Sequence, residues 1–181
     1  MLHTPIMVEE VLQYMRISKL GTYLDCTIGY GGHARYIINQ LSQNGKLIGI
    51  DKDEEAIKFC KKSLSAYENI HLFHNSYHKI ADILSSSKLK EVDGMILDLG
   101  LSSVQLDSFS RGFSYKIDSE LDMRFDLSQK LKAENILNFY SKKELADIIF
   151  EYGEIKSSRI IANNILKMRP IKSVFELVEA I

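Results

Sequence analysis

Asp25-Cys-Thr-Ile-Gly29-Tyr-Gly31-Gly32-His33-Ala34 is the stretch on which the fold reading turns. Just before it begins, Thr22-Tyr-Leu-Asp-Cys-Thr-Ile28 opens a short apolar run rich in strand formers. After the glycines, residues 33–41 read as a helix, with Ile37, Ile38 and Leu41 on one face and Gly45 past the end. Glycines between a strand and a helix let the chain turn tightly and let its backbone approach a ligand closely. On this reading a side chain at Gly31 would occupy the ligand's approach. The alternative is a glycine-rich turn that holds no ligand.

The pattern repeats outward from this unit. Lys46-Leu-Ile-Gly-Ile50 is a second buried strand, and Asp53 can cap a helix carrying Ala56, Ile57, Cys60 and Leu64 at helical spacing. Ile70-His-Leu-Phe73 is a third strand, residues 78–84 a short helix, and Val92-Asp-Gly-Met-Ile-Leu97 a fourth strand. Strands that alternate with helices predict an α/β fold with a parallel, doubly wound sheet. Upstream, residues 5–15 read as a helix with Pro5 near its first turn.

Beyond Asp98 the character changes. Residues 100–129 show no period, and only helices follow. Ser141-Lys-Lys-Glu144 and Ser173-Val-Phe-Glu176 are capping boxes, and Pro170 stops a helix over residues 155–168. The expected division is residues 1–105 as the sheet domain and 106–181 as an irregular loop with helices. The last helix leaves Phe175, Leu177, Val178 and Ile181 without an evident partner, and no fifth strand follows the fourth. The expectation is a sequence cut short, with an open sheet edge, a terminal helix that is frayed or docked on another copy, and pairing into a homodimer. Alone, such a chain is expected to be catalytically silent or very weak.

Composition narrows the classes. With 181 residues, 45% hydrophobic and 26% charged, the chain has enough apolar material for a core, which excludes disorder as its main state. No apolar run is long enough to span a membrane, and the first ten residues lack a secretory leader pattern. Two cysteines form no disulfide framework, so a reducing, cytoplasmic setting is expected. A net charge of −1 excludes a strongly basic, non-specific nucleic-acid binder, though not a small basic site.

Three acids mark the strand ends. Asp51 lies twenty residues beyond Gly31, where an acid holds two ribose hydroxyls in nucleotide-binding α/β folds. Asp25 precedes the glycines, and Asp98 ends the fourth strand. Ligands of open α/β sheets bind beyond the carboxyl ends of the strands, so the three carboxylates are expected to line one crevice. A carboxylate beside the loop repels a pyrophosphate and suits a cation. S-adenosylmethionine (SAM), with an ammonium, a sulfonium and no phosphate, fits better than a nicotinamide dinucleotide. An NAD-dependent oxidoreductase is the alternative, and an inactive SAM-binding fragment a third.

Several motifs together resemble one family. Gly29-Tyr-Gly-Gly-His33, Ile50-Asp-Lys-Asp53, Leu97-Asp-Leu-Gly-Leu-Ser-Ser103, Gln105-Leu-Asp107, Arg111-Gly-Phe-Ser114 and Leu121-Asp-Met-Arg124 are similar in order and spacing to the RsmH (MraW) family. His3-Thr-Pro5 and Glu9-Glu10 match its N-terminal segment. The resemblance implies a Rossmann-like SAM-dependent methyltransferase core with an inserted helical domain. The implied reaction methylates the N4 amine of a cytosine in small-subunit ribosomal RNA. It also implies donor contacts from Gly31, Gly32, His33, Asp51, Tyr77, Asp98 and Gln105. Tyr77 stands where the family usually has Phe, and Val104 where it usually has Pro. Family members continue beyond Ile181 through the remaining core strands. Asp98 has two readings, holding the donor or accepting from the cytosine amine in catalysis.

The remaining candidates divide between chemistry and packing. His71, His74 and His78 are close in sequence but lack an accompanying acid or cysteine set for a metal. Cys60 reads as core and Cys26 as a strand residue. Lys61-Lys62 and Lys142-Lys143 read as solvated helix faces. Arg111 and Arg124, near Phe113, Tyr115 and Phe125, are the expected RNA contacts, holding a splayed base and its phosphates. A packed loop core is the alternative.

Overall fold

β1 (Thr22–Asp25), β2 (Lys46–Asp51), β3 (Ile70–His74) and β4 (Gly94–Ile96) form one parallel sheet in the order β3-β2-β1-β4. The computed structural model describes residues 5–181, so His3 and Thr4 of the N-terminal match lie outside the described residues. The chain divides into two compact units, Met1–Ser102 and Ser103–Ile181.

In the first unit, side chains alternate across the sheet as the pleat requires. Tyr23 and Leu47 face one layer, packed with Ile37 and Ile38 of α2 (Gly32–Gln40) and Ile57 and Cys60 of α3 (Glu54–Ser63). Leu12 and Met15 of α1 (Val8–Met15) join that layer. Leu24, Ile48 and Ile50 face the other layer, against Ile83 of α4 (Ile80–Ser86). Helices on both faces make the sheet doubly wound. The chain runs outward from β1 to β3, then returns to the far side of β1 as β4. The order therefore reverses at β1, and the crevice at such a reversal is where these sheets hold ligands.

The boundaries differ from expectation in places. Pro5 precedes α1 rather than sitting in its first turn. β1 ends at Asp25, although Cys26 N–H still reaches the Ile96 carbonyl and Ile28 N–H the Ile50 carbonyl, each at 3.0 Å. β4 keeps three residues; just before it, Asp93 donates its N–H to the Thr22 carbonyl at 2.8 Å and its carboxylate accepts the Thr22 N–H at 2.7 Å.

The second unit is helical: α5 (Ser103–Leu106), α6 (Ala133–Phe139), α7 (Lys142–Glu151), α8 (Ser158–Met168) and α9 (Val174–Ala180). Its core joins Leu121, Leu145, Ala162, Ile165, Ile171, Val174 and Ala180. The sequence gives no start signal for α6, whose N-cap is Lys132; Asn135 caps it from within by accepting the Lys132 N–H at 2.9 Å. For α9 the expectation of a frayed helix is corrected. Val174 and Ala180 are buried, Leu177 packs on the unit's own core, and Ser173 caps Glu176 N–H. Phe175, Val178 and Ile181 remain exposed.

Candidate functional site

β1, β2 and β4 deliver their carboxylates to the same edge of the sheet because the strands are parallel. Asp25 is the most enclosed, at 3% exposure, and accepts the Thr27 N–H at 3.2 Å. Burial pushes its pKa up to about 7; the Thr27 bond pulls it down, while the Asp51 and Asp98 charges push it further up.

Asp51 holds the glycine turn in place. One carboxylate oxygen accepts the Gly29 N–H at 2.7 Å and the other the Asp53 N–H at 2.9 Å. Burial raises its pKa against these backbone bonds. Asp53 in turn caps α3 through Glu55 N–H at 3.0 Å.

Asp98 stands two residues past β4. Its N–H donates to Thr27 Oγ1 at 2.8 Å, and its half-exposed carboxylate lies 3.9 Å from His33 Nδ1. The opposite nitrogen of His33 is 2.8 Å from the Ile6 carbonyl, which fastens the segment before α1 to the start of α2. Among the described residues, no lysine or arginine pairs with Asp25, Asp51 or Asp98. Tyr77 follows β3 in a short 3-10 turn at the same sheet edge, with Lys52 Nζ 5.9 Å from its ring centroid. Thr27 and the Ile6 carbonyl are site members that motif reading missed. Neither carries a spacing signal, since each acts through a bond visible only in three dimensions.

The glycines prove to serve the turn. Gly29 has φ 49° and Gly31 φ 80°, backbone that favours glycine. A Cβ on Gly31 would lie 3.2 Å from Cys60 Sγ and 3.4 Å from Leu64 Cδ1. It would point into the α3 packing, so the expectation that it blocks a ligand is corrected. Gly31→Ala is therefore expected to destabilise the fold by about 1–2 kcal/mol, the cost of left-handed backbone for an L-residue. Urea unfolding checks this, and an unchanged midpoint would contradict it.

The cysteines are core thiols. Burial pushes Cys26 up to about 11 and Cys60 up to about 12, so both stay protonated at neutral pH and supply no nucleophile. Cys60 donates to the Gly29 carbonyl at 3.2 Å.

In the second unit, Gln105 is buried within α5. Arg111 and Arg124 are spent inside their own loop, which corrects their assignment to RNA. Arg111 is 4% exposed and donates to the Arg124 and Phe125 carbonyls at 2.9 and 3.1 Å. Arg124 grips both oxygens of Asp122, at 2.8 and 2.7 Å, and reaches the Leu127 carbonyl at 3.0 Å. That grip holds the Asp122 carboxyl below the usual carboxylate range.

Comparison with known proteins bears on the whole chain. A family model described as the MraW methylase family matches residues 1–181. The Ribosomal RNA small subunit methyltransferase H of Clostridium botulinum (strain Kyoto / Type A2) is 47% identical over 182 residues, covering 99% of this chain and 59% of that protein. The protein of the same name from Thermosipho africanus is 45% identical over 179 residues, covering 99% and 61%. The chain thus spans about three fifths of the length of the curated relatives it matches.

Proposed function

The chain belongs to the MraW methylase family, and on that premise we propose that it is a SAM-dependent methyltransferase acting on the N4 amine of a cytosine in small-subunit ribosomal RNA. The observation that carries the reading is the trio of carboxylates, unpaired by any described lysine or arginine, beside the glycine turn. That donor set fits a cationic, phosphate-free ligand. A pyrophosphate would find no described lysine or arginine against the three acids.

In this reading the turn of Gly31, Gly32 and His33 borders the donor, Asp51 takes the ribose hydroxyls, and Tyr77 offers its ring to the adenine. Asp98 holds the donor's charged end; Gln105 is assigned by the family resemblance alone. When bound, SAM supplies a methyl group on a sulfonium. The cytosine amine is a poor nucleophile because its lone pair is delocalised into the ring. Acceptors for its N–H groups ease it toward a tetrahedral shape, and Asp98 is the carboxylate for that second role. Fixing both partners in line provides much of the remaining rate. RNA duplexes hide their bases, so the target cytosine is unpaired or flipped out.

A methyl-transfer assay on small ribosomal subunits tests the reading. The Clostridium botulinum relative supplies the part of its length that this chain does not span, as a chimera. Nucleoside analysis is expected to show N4-methylcytidine; methyl on a ring carbon or on ribose would overturn it. The same reading places the work in the cytoplasm and includes pairing of two copies along β4. Supporting the pairing, β4 is bonded only to β1 among the described strands, and Met95 is half exposed. Sedimentation is expected to show a dimer, and a monomer at every concentration would remove that part.

A further inference from the structure

We propose that residues 114–117, the tip of the loop that carries Arg111 and Arg124, form a stacking platform for an unpaired RNA base. Tyr115 is the ring and Lys116 the phosphate contact. The proposal rests on the RNA-substrate reading above and names where in the second unit the strand is held.

The loop is fixed everywhere except at this tip. Its neck is closed where Met123 N–H donates to the Arg111 carbonyl at 2.9 Å, and the Arg111 guanidinium spans to the carbonyls of Arg124 and Phe125. Gly112, at φ 70°, lets the two legs cross closely: a Cβ there would sit 2.5 Å from the Glu120 carbonyl oxygen. The outgoing leg is bound to the start of α9. Val174 N–H donates to the Ser119 carbonyl at 3.0 Å, and Phe175 N–H to Asp118 Oδ1 at 3.1 Å. Phe113 and Phe125 pack together behind, with ring centroids 5.3 Å apart.

Between these anchors the chain makes a turn, closed by Ile117 N–H to the Ser114 carbonyl at 3.4 Å and by Lys116 N–H to Ser114 Oγ at 3.3 Å. Its two central residues project into water. Tyr115 is 72% exposed, and Lys116 Nζ lies 5.9 Å from its ring centroid. The ammonium thus lies over one face of the ring, which leaves the opposite face to a base. A flat aromatic held out on a braced loop gives a base a face to stack on with little ordering cost, and the cation beside it attracts the backbone. The arginines that the sequence suggests for this task supply the bracing instead.

Fluorescence anisotropy with a labelled single-stranded decacytidylate tests this on the whole chain. Melting curves confirm that Tyr115→Ala, Tyr115→Phe and Lys116→Gln fold. Tyr115→Ala is expected to bind about tenfold more weakly, within the range for loss of one stacked base. Tyr115→Phe keeps the ring and should match the parent. Lys116→Gln should weaken binding and flatten the salt dependence by roughly 0.7 in logarithmic slope, one phosphate's share. Parent-like affinity in Tyr115→Ala overturns the proposal and leaves the tip to a protein partner. A Phe variant as weak as the Ala variant overturns stacking as the cause. If the parent chain binds no RNA, the RNA-substrate reading fails, and this proposal with it.

Discussion

Replacing Asp25 with asparagine is expected to remove a large pH dependence from the ligand-free protein's stability. The Asp25 carboxyl titrates at about 7 in the fold against 3.8 for an unstrained carboxyl, chiefly because burial disfavours the charge. Between those two values the folded state binds more protons than the unfolded one. This group's contribution is therefore fully present below the lower value and is lost as pH rises through the upper one. At about 1.4 kcal/mol per unit, the loss approaches roughly 4 kcal/mol by slightly alkaline pH. Asp25→Asn keeps an oxygen for the Thr27 N–H and carries no charge. Subtracting its stability curve from that of the parent isolates the effect from other titrating groups. A cationic ligand reverses the preference, because it favours the ionised carboxylate. SAM affinity is thus expected to rise with pH through about 7, with protons released on binding near neutrality. Calorimetry in buffers of different ionisation enthalpy reads that release. A flat difference curve together with proton-neutral binding would show that Asp25 neither titrates near 7 nor senses the ligand.

Asp51→Ala is expected to weaken SAM binding by roughly 1.5–3 kcal/mol, the scale of hydrogen bonds to a charged group. Two losses contribute. The ribose hydroxyls lose their acceptor, and the N–H groups of Gly29 and Asp53 lose the oxygens that hold them at 2.7 and 2.9 Å. The second loss loosens the glycine turn, so the melting temperature should fall as well. Asp51→Asn keeps one acceptor oxygen and should lie between the parent and Asp51→Ala. Unchanged SAM affinity in a folded Asp51→Ala protein would remove the ribose assignment and leave Asp51 as a brace for the turn.

The sheet is legible in the sequence because its signals are local. Apolar runs such as Lys46-Leu-Ile-Gly-Ile50 have no other stable arrangement in a βαβ series, and the glycines after Asp25 break the chain where a turn is needed. Asp53 and Ser173 cap their helices as their residue types suggest. What is not legible depends on partners far apart in the chain. The start of α6 is a local exception: Asn135 accepts the Lys132 N–H as the N3 half of a capping box, but a lysine N-cap gives no residue-type signal for it. The order of β4 beside β1 follows only once the returning crossover is placed on the other face.

The site shows the same division. The placement of Asp25, Asp51 and Asp98 at strand ends follows from pattern and topology. The occupation of each side chain does not. Gly31 reads as ligand clearance, yet its missing Cβ would strike Cys60 and Leu64. Arg111 and Arg124 read as RNA contacts because guanidinium groups near aromatics suit nucleotides. In the fold, nearby carbonyls and Asp122 claim them first. An arginine's role depends on whether its five donors are already met, and sequence alone does not count them.

The most direct measurement is a pair of calorimetric titrations of this chain, one with SAM and one with NAD, repeated with Asp51→Ala. The account predicts saturable binding of SAM that the substitution weakens, and no binding of NAD. Binding of NAD, or SAM binding indifferent to Asp51, would contradict a methyl-donor pocket built from the strand-end carboxylates.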